Sequence, residues 1–282
     1  MALNDILLQL ASYPDASTPA DVDWAVDFAA GVGGKLSALA VNVKLPVHSN
    51  VAADYLVGLS SLAREEEAKS LQACEDLLGH FAARATGANV LSDQIVDPAR
   101  LEEVADHVAR HARTRDLCIV PGGVNSASQR GVAEAAIFGS GRPVLVFQPS
   151  SARVWQGAPR RVVVAWDGSR SAARALADAQ PILSLAQEVR VLTILNEKPT
   201  ATAGLGAEPL RHLLAHGVKA VLDEVDADGA PIGEALGAYL TAKSPDLLVM
   251  GAFGHSRFRE FVLGGATRSM LAAPPVPLLL SH

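Results

Sequence analysis

Cysteine is scarce in this sequence. The chain holds only Cys74 and Cys118, far apart and each in apolar surroundings. Disulfide frameworks belong mainly to small secreted domains, and metal sites built from cysteine need several ligands at short spacing. We therefore expect two buried, reduced thiols, with neither a disulfide nor a metal site.

Basic charge and long apolar runs are also lacking. The chain has 24 Lys and Arg against 30 Asp and Glu, a formal net charge of -6. A general nucleic-acid binder needs a basic face, so we expect no nucleic-acid partner. No apolar stretch is long enough to span a bilayer, and Met1–Asp5 lacks the basic start of a signal peptide. The expected location is the cytoplasm, with no membrane association.

Motifs for catalysis are not evident. No Gly-Lys-Ser/Thr follows a glycine loop, and no Ser/His/Asp or Cys/His order stands out. His107 and His111 are four residues apart on a predicted helix and could grip a metal, but no third ligand is apparent. We interpret them as a surface pair. The sequence indicates no catalytic residue and favours a protein without enzymatic activity.

What the sequence does have is a regular alternation of short apolar runs with helical patterns. In the second half, Val162–Trp166 reads as a buried strand and is followed by an Ala-rich helix with apolar residues at helical spacing. Further strands are predicted at Val189–Leu195, Val218–Val225 and Asp246–Met250, with a last one at Val276–Leu280. Strands that alternate with helices predict an α/β fold with a parallel sheet.

The first half repeats this order. In the first half, a predicted helix is followed by the strand Asp116–Val120 and then by Gly122. The second half has the same order, with a predicted helix, the strand Asp246–Met250 and Gly251. Such self-similarity indicates an internal duplication. We predict two tandem, open, five-stranded parallel sheets flanked by helices, in domains 1–150 and 151–282. Pro149–Pro159 has the composition of a linker between them.

Glycines follow one buried strand of the second half. Gly251-Ala252-Phe253-Gly254 is followed, nine residues on, by Gly264-Gly265-Ala266-Thr267. Ligands of open α/β sheets bind at the carboxyl ends of the strands, where glycines and a helix N-terminus can hold a phosphate. Asp167 ends the first strand of the same half and is expected on the same rim. The alternative is a tight turn without a ligand, since Gly-x-x-Gly alone is a weak signal.

These residues resemble the universal stress protein family. The glycine pattern, the strands on either side of it and the opening Val-Val-Val-Ala-Trp-Asp-Gly-Ser carry the resemblance, which covers residues 160–282 and, more faintly, 1–148. The chain is thus similar to a tandem member of that family. The resemblance implies an open five-stranded parallel sheet and binding of ATP or AMP at the glycine loop, with Mg²⁺ where the ligand is ATP.

The resemblance also implies site residues. Asp167 would face the nucleoside, and the backbone near Ile194 would face the adenine. The ribose and phosphates would lie against Gly251, Gly254 and Gly264. Family members that bind ATP usually carry Ser or Thr directly after the last glycine, where this chain has Gly265; Thr267 follows two residues later. We interpret His255, Arg257 and Arg268 as solvated surface residues.

The first half departs further from the pattern. It lacks the glycine spacing, and no acid stands at the place of Asp167, since its first strand runs into Ala11-Ser12-Tyr13-Pro14. We interpret it as a degenerate partner that is structural or binds something else. Because an exposed apolar edge strand invites pairing, we predict that Val144–Phe147 and Val276–Leu280 lie close together across a pseudo-two-fold axis. A homodimer of the chain remains open.

Three functions are consistent with these residues. The first is a stress-response or regulatory protein that binds ATP or AMP and an unidentified regulatory protein partner. The second is an interaction scaffold that binds no nucleotide. The third, a slow ATPase, is disfavoured because no general base or metal-binding carboxylate pair is evident near the loop.

Overall fold

The structure is a computed structural model that describes residues 3–46, 59–122, 127–148, 158–196, 201–252 and 265–282. Its strands are β1 Asp5–Leu10, β2 Lys35–Lys44, β3 Leu91–Arg100, β4 Leu117–Pro121, β5 Val144–Phe147, β6 Arg161–Ala165, β7 Glu188–Leu195, β8 Ala220–Asp226, β9 Leu247–Gly251 and β10 Leu278–Ser281. Its helices are α1 Pro19–Val32, α2 Leu59–Gly87, α3 Val104–Ala112, α4 Ala127–Gly139, α5 Arg170–Leu183, α6 Ala207–Ala215, α7 Ile232–Lys243 and α8 Gly265–Ala272, with a 3-10 turn at Leu101–Glu103 before α3.

The strands form one ten-stranded sheet in the order β3-β2-β1-β4-β5-β10-β9-β6-β7-β8. All neighbours within each half are parallel, and the halves join through the antiparallel pair β5–β10. The predicted fold class is confirmed. The two terminal strands meet as expected, so each covers the apolar edge of the other.

The order of strands reads as a palindrome about the β5–β10 junction, which places an approximate two-fold axis there. A matching pair of hydrogen-bond acceptors marks the equivalence. Asp116 Oδ2 accepts from the backbone N–H groups of Asn4 and Asp5 at 2.8 and 3.0 Å. Asp246 Oδ2 accepts from those of Arg160 and Arg161, both at 2.9 Å. Each carboxylate ties the start of the first strand of its half to the start of the fourth.

The core consists of two apolar layers, one on each face of the sheet. One layer packs α1, α2, α5 and α6 against the sheet, and the other packs α3, α4, α7 and α8. Each layer takes residues from both halves, so the sheet and its helices share a continuous core across the junction.

Local signals in the sequence account for well-defined helix starts. Thr18 is the N-cap of α1, with its side chain accepting from the Asp21 N–H, and Pro19 occupies the first helical position. Asp21 Oδ2 accepts from the Thr18 N–H at 2.6 Å and completes a capping box.

Both thiols are buried. Cys74 and Cys118 are free and inaccessible, as the sequence predicts. Burial raises the pKa of the Cys118 thiol to about 12. Within the described ranges, no helix is long and apolar enough to cross a membrane.

Candidate functional site

The candidate site begins where β6 ends. Asp167 lies in the turn before α5, half-buried, and its Oδ1 accepts from the Ser169 N–H at 2.9 Å. Gly168 takes a left-handed conformation with φ +74°. Ser169 is the N-cap of α5, with its Oγ accepting from the Ala172 N–H at 3.1 Å. The order Asp-Gly-Ser therefore produces a tight turn that sets a carboxylate at a helix N-terminus.

Gly251 ends the neighbouring strand at the same edge of the sheet. Ala165 of β6 pairs with Met250 of β9, so the residues that follow, including Asp167 and Gly251, leave the sheet side by side. A Cβ on Gly251 would lie 2.5 Å from the carbonyl carbon of Ser171 and 2.7 Å from its Oγ. Glycine is thus required at this position for β9 to pass against the first turn of α5, whether or not a ligand binds.

The other predicted residues lie on elements that border this edge. Ile194 is near the end of β7, the strand on the far side of β6, with its side chain buried in the core. Gly265 is the first residue of α8 and is exposed. Thr267 is 3% exposed, within α8. Gly254 and Gly264 lie outside the described residues, as do His255 and Arg257.

Gly265 differs from Gly251 in its surroundings. The nearest atom to a Cβ on Gly265 would be Ile232 Cγ2 at 3.7 Å, an ordinary van der Waals distance. Among the residues that the structure describes, a serine at the start of α8 therefore displaces no neighbour. Arg268, three residues on, is exposed, and its charge acts on Glu134 of α4. It faces the other half of the chain, consistent with a surface residue.

One wall of the site was not foreseen from the sequence. Leu205, in the segment before α6, has its Cδ1 3.3 Å from where a Cβ on Gly168 would be. Gly204 N–H donates to Glu224 Oε1 at 2.6 Å and fixes this segment to β8. Leu205 thus supplies an apolar surface beside the Asp167 turn, on the β7 side where the resemblance places the base.

At the corresponding edge of the first half, buried polar side chains are hydrogen-bonded to one another and to the backbone. Ser12 Oγ donates to Val41 O at 2.5 Å and lies 2.7 Å from Ser70 Oγ of α2. Ser70 Oγ also accepts from the Val43 N–H at 2.9 Å. Both serines are buried. The long helix α2 is thereby bonded directly to the carboxyl ends of β1 and β2.

A second bonded group fills the opposite side of that edge. Gln129 Nε2, from α4, donates to Gln9 Oε1 at 3.0 Å and to Pro121 O at 3.2 Å. Gln9 and Gln129 are buried. These hydrogen bonds tie α4 to β1 and to the carboxyl end of β4.

The structure corrects one correspondence between the halves. Gly122 N–H donates to Phe147 O, and Ala252 N–H donates to Ser281 O, at 2.7 and 2.8 Å. Gly122 therefore matches Ala252, and Pro121 stands where the second half has Gly251. The sequence comparison matched Gly122 to Gly251 because each is the first glycine after its apolar run, and so passed over Pro121. Ala11 stands at the place of Asp167, as expected.

The two histidines of α3 share a partner. His107 Nδ1 and His111 Nε2 lie 2.7 and 3.0 Å from Asp97 Oδ2 of β3. The carboxylate ties the edge strand to α3. Throughout the part of the chain that the structure describes, no group of three or more His, Cys, Asp or Glu side chains is arranged to hold a metal ion.

Comparison with known proteins finds sequence similarity in the second half of the chain. Residues 159–282 match the model of the universal stress protein family. A universal stress protein of Synechocystis sp. is 33% identical over 122 residues, which are 42% of this chain and 41% of that protein. The chain thus spans less than half of the curated relative it matches.

Solved structures resemble the whole chain. The crystal structure of a universal stress protein from Archaeoglobus fulgidus has a TM-score of 0.73 at 18% identity, covering 99% of this chain and 97% of that one. A protein from Pseudomonas aeruginosa assigned to the same family has a TM-score of 0.55 at 16% identity, covering 99% and 93%. At these identities the likeness shows the fold, and it extends over both halves.

Proposed function

We propose that the chain is a tandem universal stress protein that binds one nucleotide, ATP or AMP, in its second half, because residues 159–282 match the model of that family. The division into domains 1–150 and 151–282 is part of the proposal. It is supported by the repeated strand order and by the matching roles of Asp116 and Asp246.

One observation carries the proposal. In the second half, the carboxyl ends of β6 and β9 bring the Asp167 turn and Gly251 together at the N-terminus of α5. A carboxylate at such an edge accepts hydrogen bonds from a ribose or an adenine amine, and glycine backbone near a helix start suits phosphate. In the first half, the Ser12–Ser70 and Gln9–Gln129 hydrogen bonds at the same edge support the absence of a second site.

The residues fit a nucleotide in a simple arrangement. The base and ribose would lie between the Asp167 turn, Leu205 and the end of β7 near Ile194. The phosphates would extend past Gly251 towards Gly265 at the start of α8. Mg²⁺ accompanying ATP would be held mainly by phosphate oxygens, since the described side chains offer no metal-binding cluster.

We propose a regulatory role in the stress response without catalysis. The nucleotide would act as a signal that sets the conformation presented to a regulatory protein partner. A cytoplasmic location remains a prediction from the sequence. The competing function is an interaction scaffold that binds no nucleotide, and the observation that favours it is Gly265, which removes the hydroxyl expected next to the phosphates.

Nucleotide retained through purification tests the proposal most simply. The purified chain is denatured, and the released small molecules are measured by absorbance and mass spectrometry. We expect ATP or AMP at up to one per chain. Gly254→Val should release none, because a β-branched side chain would block backbone approach to the phosphates.

A charge-neutral variant separates recognition from folding. Asp167→Asn keeps Oδ1 as acceptor for the Ser169 N–H but removes the charge, so the turn should persist. We expect nucleotide affinity to fall about tenfold to a hundredfold. Asp228→Asn, at an exposed turn of the same half, is the control. If Asp167→Asn binds nucleotide with wild-type affinity, the Asp167 carboxylate takes no part in binding.

A further inference from the structure

The end of β9 is held by a residue of β10 and, through it, by the first half of the chain. Ala252, directly after Gly251, is bonded at both of its peptide groups. Its N–H donates to Ser281 O at 2.8 Å, and its carbonyl lies 3.1 Å from His282 Nδ1. Because a carbonyl oxygen only accepts, Nδ1 must carry the proton and donate.

The His282 ring in turn lies against Phe138. The ring centroids are 4.9 Å apart and the planes meet at 70°, an edge-to-face arrangement. Phe138 belongs to α4, a helix of the first half. A chain of contacts therefore runs from α4 through His282 to the peptide that follows Gly251.

The corresponding position of the first half is built differently. Gln148 follows β5 as His282 follows β10, and Gly122 matches Ala252. A glutamine there cannot make the ring contact that His282 makes. The aromatic pair is thus specific to the side of the molecule that carries the candidate site. Phe138 is 44% exposed, so burial in the core does not explain an aromatic residue at this position.

We propose that Phe138 and His282 are positioning residues for nucleotide binding: through the Phe138–His282–Ala252 contacts, the first half fixes the peptide that follows Gly251, beside the Asp167 turn. The inference rests on the proposed function, since it assigns a role towards that site. It gives the first half a task other than binding a ligand of its own, and it explains why the two halves work as one chain.

Two variants and a control test this inference in the full-length chain. Phe138→Ala removes the ring, and His282→Gln places in the second half the residue found at the matching position of the first. Leu101→Ala is the control, because Leu101 is 42% exposed, is in the same half and lies outside these contacts. We measure ATP affinity by calorimetry, hydrogen exchange of the Ala252 amide without nucleotide, and the urea midpoint.

Both variants should weaken ATP binding about twofold to tenfold, as expected for loss of one edge-to-face aromatic pair. The Ala252 amide should exchange faster by a similar factor, while the urea midpoint stays close to that of Leu101→Ala. The double variant should lose no more than the larger single change, because both residues act through one chain of contacts.

The outcomes separate this inference from the proposed function. If the wild type binds no ATP, the proposed function fails. The hydrogen-exchange rate of the Ala252 amide in Phe138→Ala then shows whether Phe138 fixes this peptide. If the wild type binds ATP and both variants bind it equally well with unchanged exchange, the positioning role is wrong. If affinity falls only together with the urea midpoint, the pair is a general stabilising contact and the inference is also overturned.

Discussion

Leu145 of β5 and Leu279 of β10 are paired directly opposite each other at the junction of the two halves. The two leucines are equivalent positions of the two halves. Leu145 pairs with Ile119 of β4, and Leu279 pairs with Val249 of β9, at matching places in the register. The approximate two-fold axis therefore passes through this pair. Both side chains are completely buried.

This pairing predicts how the second half behaves alone. A fragment of residues 153–282 exposes β10, an apolar edge strand that has lost β5, and a second copy can replace it by the same antiparallel pairing. We expect the fragment to dimerise or aggregate, as measured by sedimentation over a range of concentrations. Leu279→Lys in the fragment should suppress the dimer. A fragment that stays monomeric at high concentration contradicts this account of the junction.

The two glycines of the site should respond oppositely to an added side chain. Gly251→Ala forces a Cβ into the first turn of α5 and should destabilise the protein by about 1–3 kcal/mol. Gly265→Ser has room and should leave stability unchanged, with ATP affinity equal to the wild type or higher, since it supplies a hydroxyl beside the phosphates. Urea unfolding and calorimetry measure the two effects. A Gly251→Ala protein as stable as the wild type would show that the strand and helix are not in tight contact.

The buried serines of the first half should matter for folding and not for nucleotide. Ser70→Ala leaves the Val43 N–H without its acceptor and removes the partner of Ser12. We expect a loss of about 1–3 kcal/mol in the free energy of unfolding. The number of ATP molecules bound per chain should not change. A second ATP bound by Ser70→Ala would mean that the closed edge hides a usable site.

Asp97 should make the protein less stable in acid. Burial raises the pKa of the Asp97 carboxyl, but hydrogen bonds from His107 and His111 lower it further than burial raises it, so it lies below the ordinary 3.8. A depressed folded-state pKa gives stability that is present above the unfolded pKa and is lost as the pH falls through the folded pKa. The free energy of unfolding of the wild type, measured with urea, should therefore fall below about pH 4. In Asp97→Asn it should depend less on pH. Asp93→Asn, exposed on the same strand, is the control; an identical pH profile in both variants would contradict the contact.

The sequence was sufficient for the architecture because the fold rests on local patterns. Buried strands such as Leu117–Pro121 and Leu247–Gly251 are continuous apolar runs, and Thr18-Pro19 marks a helix start by its capping chemistry. β3 includes Pro98, which an edge strand tolerates.

The candidate site was predictable only where a motif marked it. Asp167 and Gly251 were found because they end neighbouring parallel strands, which the alternation of elements already implies. The contact of Gly251 with Ser171, the Ser12–Ser70 bond and the Phe138–His282 pair join residues that are distant in sequence. Their positions follow from packing between elements, for which the sequence carries no local signal.

Calorimetric titration of the full-length chain with ATP tests the central claim most directly, because it counts sites as well as measuring affinity. The account predicts one site per chain, with binding reduced in Asp167→Asn and retained in Ser70→Ala. A stoichiometry of two per chain would contradict the assignment of the first half as closed. No detectable heat, together with no nucleotide retained in purification, would contradict nucleotide binding and leave the scaffold as the function.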